Sequence, residues 1–108
     1  MQTVVHVLAT TRTSLREAIV NDKQLERYGF EVVIEKKPGR RRGWAKLRSD
    51  REGHDGAVNI EWHGRSRMLV CRVVTRGRGR PHLTIGALVT YLLARHRTRI
   101  RAIHVVPP

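Results

Sequence analysis

Met68-Leu69-Val70-Cys71-Arg72-Val73-Val74 carries one charge in seven residues. A run this apolar, rich in β-branched side chains, reads as a central strand covered on both faces. His63-Gly64-Arg65-Ser66 turns the chain into it, and Arg76-Gly77-Arg78-Gly79-Arg80-Pro81 leads out of it. Thr84 is then placed to cap a helix reaching about Arg95, with Ile85, Leu88, Val89, Leu92 and Leu93 as its buried stripe. Ile100 to Val106 reads as a closing strand before Pro107-Pro108. An apolar strand, a helix and another apolar strand predict a crossover, and with it a locally parallel pair in a mixed sheet.

Upstream of that run the pattern is of short strands behind one helix. Ala57 to Trp62 alternates from Val58 onward, which suits a strand with one wet face. Asp50 to Gly56 is a turn by composition. Gly43 to Arg48 and Phe30 to Glu35 are further strands, separated by Pro38-Gly39. Ser14-Leu15-Arg16-Glu17 has the form of a capping box, and Leu15, Ala18, Ile19, Leu25 and Tyr28 continue it as an apolar stripe. Gly29 is the natural left-handed stop, so the expected helix runs from about 14 to 28. The first eight residues either form a short strand or lead straight into that helix. The fold class is therefore α/β, or α+β if the sheet is mostly antiparallel: one small domain of helix, three or four strands, helix and strand around a mixed sheet.

The 108 residues suffice for one domain, and their lone cysteine, Cys71, excludes a disulfide framework, a four-thiolate zinc site and a CxxC redox pair. The six histidines show no HxH or HxxxH spacing, so zinc is not expected. No apolar run approaches a membrane span. The start lacks a basic signal-peptide region, so a cytoplasmic protein with no membrane partner is expected.

Charge is the strongest signal. Lys and Arg number 22 against 9 Asp and Glu, for a formal net charge of +13. Residues 1–35 hold four basic and five acidic side chains, whereas residues 36–108 hold 18 and four. Arg outnumbers Lys, which suits bidentate contact with phosphate. Three clusters stand out: Lys36, Lys37, Arg40, Arg41 and Arg42 at a hairpin tip; Arg76, Arg78 and Arg80 alternating with glycine; and Arg95 to Arg101 around the end of the second helix. Like charges crowded at a turn repel one another without an anion, so the first two clusters are the candidate nucleic-acid contacts. An Arg-rich codon bias is the competing explanation. With only five aromatic residues, a sheet-face reader of single-stranded RNA is disfavoured and DNA is preferred over RNA. Trp44 and Trp62 are read first as core and second as rings to stack on an unpaired base.

In element order and hydrophobic shape, residues 14–106 resemble the restriction-endonuclease-like fold of the PD-(D/E)xK nucleases, and among them the Holliday-junction resolvases. The quoted carriers are Tyr28-Gly29-Phe30-Glu31-Val32-Val33, Asp55 opening a strand, Met68 to Val74 as its hairpin partner, and Ile85 to Leu93. The resemblance implies a catalytic, magnesium-holding carboxylate at Asp55 and a helix carboxylate at Glu17. It also implies a Glu-x-Lys pair on the next strand, but Arg72-Val73-Val74 stands there instead. Without that lysine the attacking water lacks its support, so the scaffold is expected to bind rather than cut. The leading expectation is thus a protein that grips duplex or branched DNA through Arg-rich loops. A magnesium-dependent nuclease built on Asp55 and Glu17 is the alternative. A structural protein for an acidic partner or RNA is the third, its apolar chain end free to complete a homodimer sheet.

Overall fold

Alternation of buried and open side chains builds one sheet. The computed structural model describes residues 2–77 and 79–108. Among them the strands are β1 (Gln2–Ala9), β2 (Phe30–Ile34), β3 (Trp44–Ser49), β4 (Gly56–His63), β5 (Met68–Thr75) and β6 (Ile100–Val106). The helices are α1 (Leu15–Val20) and α2 (Pro81–His96). The order across the sheet is β2-β3-β4-β5-β1-β6, and every neighbouring pair is antiparallel. The architecture is α+β, with a radius of gyration of 12.7 Å, the size of one domain of this length.

The expected parallel pairing of β5 with β6 does not occur, because β1 lies between them and hydrogen-bonds both. β5 and β6 do run in the same direction, as the intervening helix requires, but the sheet is not mixed. β1 can take that place because Thr3, Val5, Val7 and Ala9 all turn one way. Its apolar face continues the row of Leu69, Cys71 and Val73 on β5.

Both helices pack on one side. Val5, Val7, Ala45, Leu47, Val58, Ile60, Leu69, Cys71 and Val73 form a single cluster with Leu15 and Ile19 of α1 and Leu88, Tyr91 and Leu92 of α2. β5 is therefore covered by helices on one face, not two, and Arg72 is exposed on the other.

The first helix is shorter than its stripe predicts. Ser14 caps it, its Oγ accepting from Glu17 N at 3.2 Å, but α1 stops at Val20 and a separate 3-10 turn covers Leu25–Tyr28. Asp22 causes the break: its Oδ1 accepts from Gln24 N at 2.9 Å, starting a new turn. Gly29, at φ +84°, ends the second piece as expected. α2 begins three residues before the anticipated cap, because Pro81 presets the first helical φ. Thr84 is instead fully buried within the helix, and its side chain fills the space left by the missing Cβ of Gly56.

Candidate nucleic-acid interface

Strand register decides which polar side chains share the uncovered face. Lys46 pairs with Asn59, Asn59 with Arg72, and Arg72 with Val4, so these side chains cross the sheet in one row. One step along, Arg48 lies beside Ala57 and Ala57 beside Val74. Below this second row, Arg76 follows the end of β5. Val33, Lys46, Arg48, Asp55, Asn59 and Arg76 line a shallow cleft of about 620 Å3 over these rows.

The other end of the face is occupied by the hairpin between β2 and β3. Arg41 turns back onto the sheet, its Nη1 3.4 Å from Glu61 Oε1 and 3.0 Å from His63 Nδ1. Arg40 stacks 5.2 Å from the Trp44 ring centroid. His63 also contacts Glu61, with Nε2 3.0 Å from Oε1. Arg48 is paired with Glu31, its Nε donating at 2.9 Å. Lys46, Arg72 and Arg76 have no salt bridge among the described residues.

A buried arginine holds the hairpin in place. Arg16 is only 4% exposed. Its Nε and Nη2 donate to Trp44 O at 3.2 and 3.1 Å, and Nη2 also donates to Glu35 O at 2.6 Å. Those two carbonyls bracket the hairpin, so α1 is clamped to its base.

The expected site residues separate into groups. Lys36, Lys37, Arg40, Arg41 and Arg42 are all exposed on the hairpin, of which Arg40 and Arg41 meet the open face. Arg76 lines the cleft, Arg80 is the residue before α2, and Arg78 lies outside the described residues. Asp55 also lines the cleft, at φ +43°, and its carbonyl accepts from Arg76 N at 3.1 Å. It shapes the loop that carries Arg76.

Glu17 is not brought to Asp55. It lies on α1, on the helical side, where its Oε1 is 2.5 Å from Arg16 Nη1. Arg16 in turn reaches Trp44, which pairs with Glu61, whereas Asp55 precedes the opposite end of β4. Six strand residues at about 3.3 Å each, roughly 20 Å along β4, separate Asp55 from the Trp44 end to which Arg16 ties α1. The shared metal site that the nuclease resemblance implies is thus not assembled from this pair. Among the described residues, no three His, Cys, Asp or Glu side chains gather as metal ligands.

His54 closes a turn and Asp55 has a left-handed backbone, and the two side chains reach opposite sides of the sheet. Asp55 lines the open cleft, while His54 is buried with its Nδ1 2.7 Å from Ser49 Oγ. Trp44 is buried and Trp62 half-buried against the core. Cys71 is a core thiol whose pKa burial pushes up to about 12.

Lys46, Arg48, Asn59 and Arg72 were missed as site residues by sequence reasoning, which looked for charge in loops. The signal was present in the period-2 spacing of Lys46 and Arg48 and in the single charge of the Met68–Val74 run. No helix of the described residues is long and apolar enough to cross a membrane. No family model matches the chain, and neither a curated protein nor a solved structure matches it.

Proposed function

We propose that this chain binds nucleic acid by its backbone, laid along the open face of the sheet. The observation that carries the reading is the gathering of Lys46, Arg72 and Arg76 on the sheet face opposite the helices, with Arg40 and Arg41 at its far end. Held within a few residues of each other by the strands, these cations repel, and phosphates relieve that repulsion. From the hairpin end to Arg76 the face is roughly 20 Å long at 3.3 Å per residue, which matches the axial rise of about six base pairs.

Duplex DNA is the favoured partner. Phe30, Tyr28 and Tyr91 lie on the helical side, Trp44 is buried and Trp62 packs against the core. The open face therefore offers no exposed ring, among the described residues, for stacking an unpaired base. Among the described residues no helix carries a base-reading pattern, which favours contact with phosphate over sequence. Cleavage has no support in the geometry of Asp55 and Glu17. The homodimer anticipated from the apolar chain end would form along β6, an edge strand with Val105 and Val106 exposed; light scattering tests it.

Fluorescence anisotropy with duplex DNA at 50 to 200 mM salt checks the reading. Five or six phosphate contacts give a slope of log affinity against log salt of about −5. The double variant K46E/R72E should weaken binding at least tenfold and flatten the slope. Binding that ignores salt, or that K46E/R72E leaves intact, refutes the open face as the interface.

A further inference from the structure

On the helical side, the loop between β3 and β4 meets α2 and the Leu25–Tyr28 turn around a second cavity, of about 280 Å3. Tyr28, Arg51, His54, His82 and Thr90 face it, and no Asp or Glu is among the residues that line it. Its polar lining is thus made of donors and cations without a compensating carboxylate.

One of these side chains is held in place and another has room reserved for it. His54 is 8% exposed, and its Nδ1 is engaged by the buried Ser49 hydroxyl at 2.7 Å. That leaves Nε2 as the ring nitrogen without a hydrogen-bond partner among the described residues. A ring pinned through one nitrogen presents the other in a set direction. Arg51 lies across Gly29, where a Cβ would collide with its Nε and Cδ. Gly29 therefore both makes the left-handed turn and leaves the guanidinium its resting place.

The mouth is kept clear by Gly86, whose Cα has open space where a side chain would be. His82 sits in the first turn of α2, at the positive end of the helix dipole.

We propose that this cavity binds a compact oxyanion of the phosphate class, through Arg51 and His54 with His82 at the rim. A tetrahedral anion with some of its water fits about 280 Å3, whereas that volume leaves little room for a whole nucleotide. Arg supplies paired N–H donors to two oxygens, and Thr90 and Tyr28 offer hydroxyls for the rest. The anion is either free phosphate or the terminal phosphate of a polynucleotide. The inference does not rest on the open-face reading, because it concerns the other side of the sheet and is probed with inorganic phosphate.

The test is an NMR titration of the full chain with sodium phosphate, read at the His54 and His82 rings, against sodium chloride at equal ionic strength. Saturable shifts of both rings with phosphate and not with chloride are expected. R51Q should raise the dissociation constant about tenfold. G86E, which places a carboxylate at the mouth of the cavity on an exposed helix position, should abolish the response. Competition by a 5′-phosphorylated oligonucleotide, but not by its 5′-hydroxyl counterpart, assigns the site to a polymer end. Failure of both to compete assigns it to free phosphate. Shifts no larger than with chloride, or shifts that survive in both R51Q and G86E, overturn the proposal.

Discussion

Arg16 sits in the first turn of α1, where an arginine ordinarily points to water, yet it is buried and donates to the carbonyls of Glu35 and Trp44. Removing it leaves two buried acceptors and a vacated volume. R16M should therefore cost about 3 kcal/mol of folding stability, measured by urea unfolding. A second buried group is Asp22. Burial acts to raise its carboxyl pKa, but hydrogen bonds from Arg95, Gln24 N and the Tyr91 hydroxyl outweigh burial and hold it at about 2. The Tyr91 hydroxyl, spent as donor to Asp22 Oδ2 at 2.8 Å, accepts in turn from His96 Nε2 at 2.8 Å. Because the folded pKa of Asp22 lies below the unfolded value of 3.8, its contribution is complete above about pH 4 and vanishes as pH falls to about 2. The loss is about 2 kcal/mol, and D22N should lack this part of the acid transition in unfolding curves. His96 adds to the same trend at higher pH. Burial lowers its pKa, the Asp22 carboxylate opposes that, and Arg99 and Arg95 reinforce it. Below about pH 6.5 the unfolded chain is protonated first and the folded state loses ground.

At the scale of elements, turn chemistry was the most legible. Ser14, Gly29 and Pro38-Gly39 stand where caps and turns demand them, and the strand alternations around them hold. Gly29→Ala should cost about 1–2 kcal/mol in thermal unfolding, since it forces a Cβ into φ +84° and against Arg51. The element that sequence reading overextended, the helix expected from 14 to 28, broke because one aspartate side chain found a backbone N–H two residues on. Such competition is decided by local geometry and leaves the apolar spacing unchanged. β5 illustrates the opposite error. Its apolar run suggested burial on both faces, but Val70 is covered without any helix on its side, and Arg72 beside it is exposed. Cys71, facing the helices, should resist thiol reagents in the folded chain and react at once in denaturant, as follows from a pKa near 12 and full burial. Labelling followed by mass spectrometry checks this.

For the whole molecule, a net charge of +13 on a globule with a 12.7 Å radius of gyration sets a repulsion that salt screens. The melting temperature should rise by a few degrees between 10 and 200 mM salt, and further with a polyanion that binds the folded state. A flat response in calorimetry would mean that the charges are spread too widely to interact. The candidate site was legible only in part. The loop cations could be named from composition, but Lys46 and Arg72 lie 26 residues apart in the chain and meet through a β4 residue, Asn59, that pairs with both. Nor does any motif bring Arg51, His54 and His82 to one cavity.

By itself the sequence determined the positive charge, the one-sided alternation of β4, the cap at Ser14 and the stop at Gly29. Each is a property of a few adjacent residues and their local conformational preferences. The tertiary structure alone decided that β1 enters between β5 and β6, that α1 breaks at Asp22 to meet Tyr91 and Arg95, and which cations share a face. Those outcomes depend on which distant segment wins a place in the sheet. Many segments here share the same period-2 pattern, and only the packing of a common core distinguishes among them.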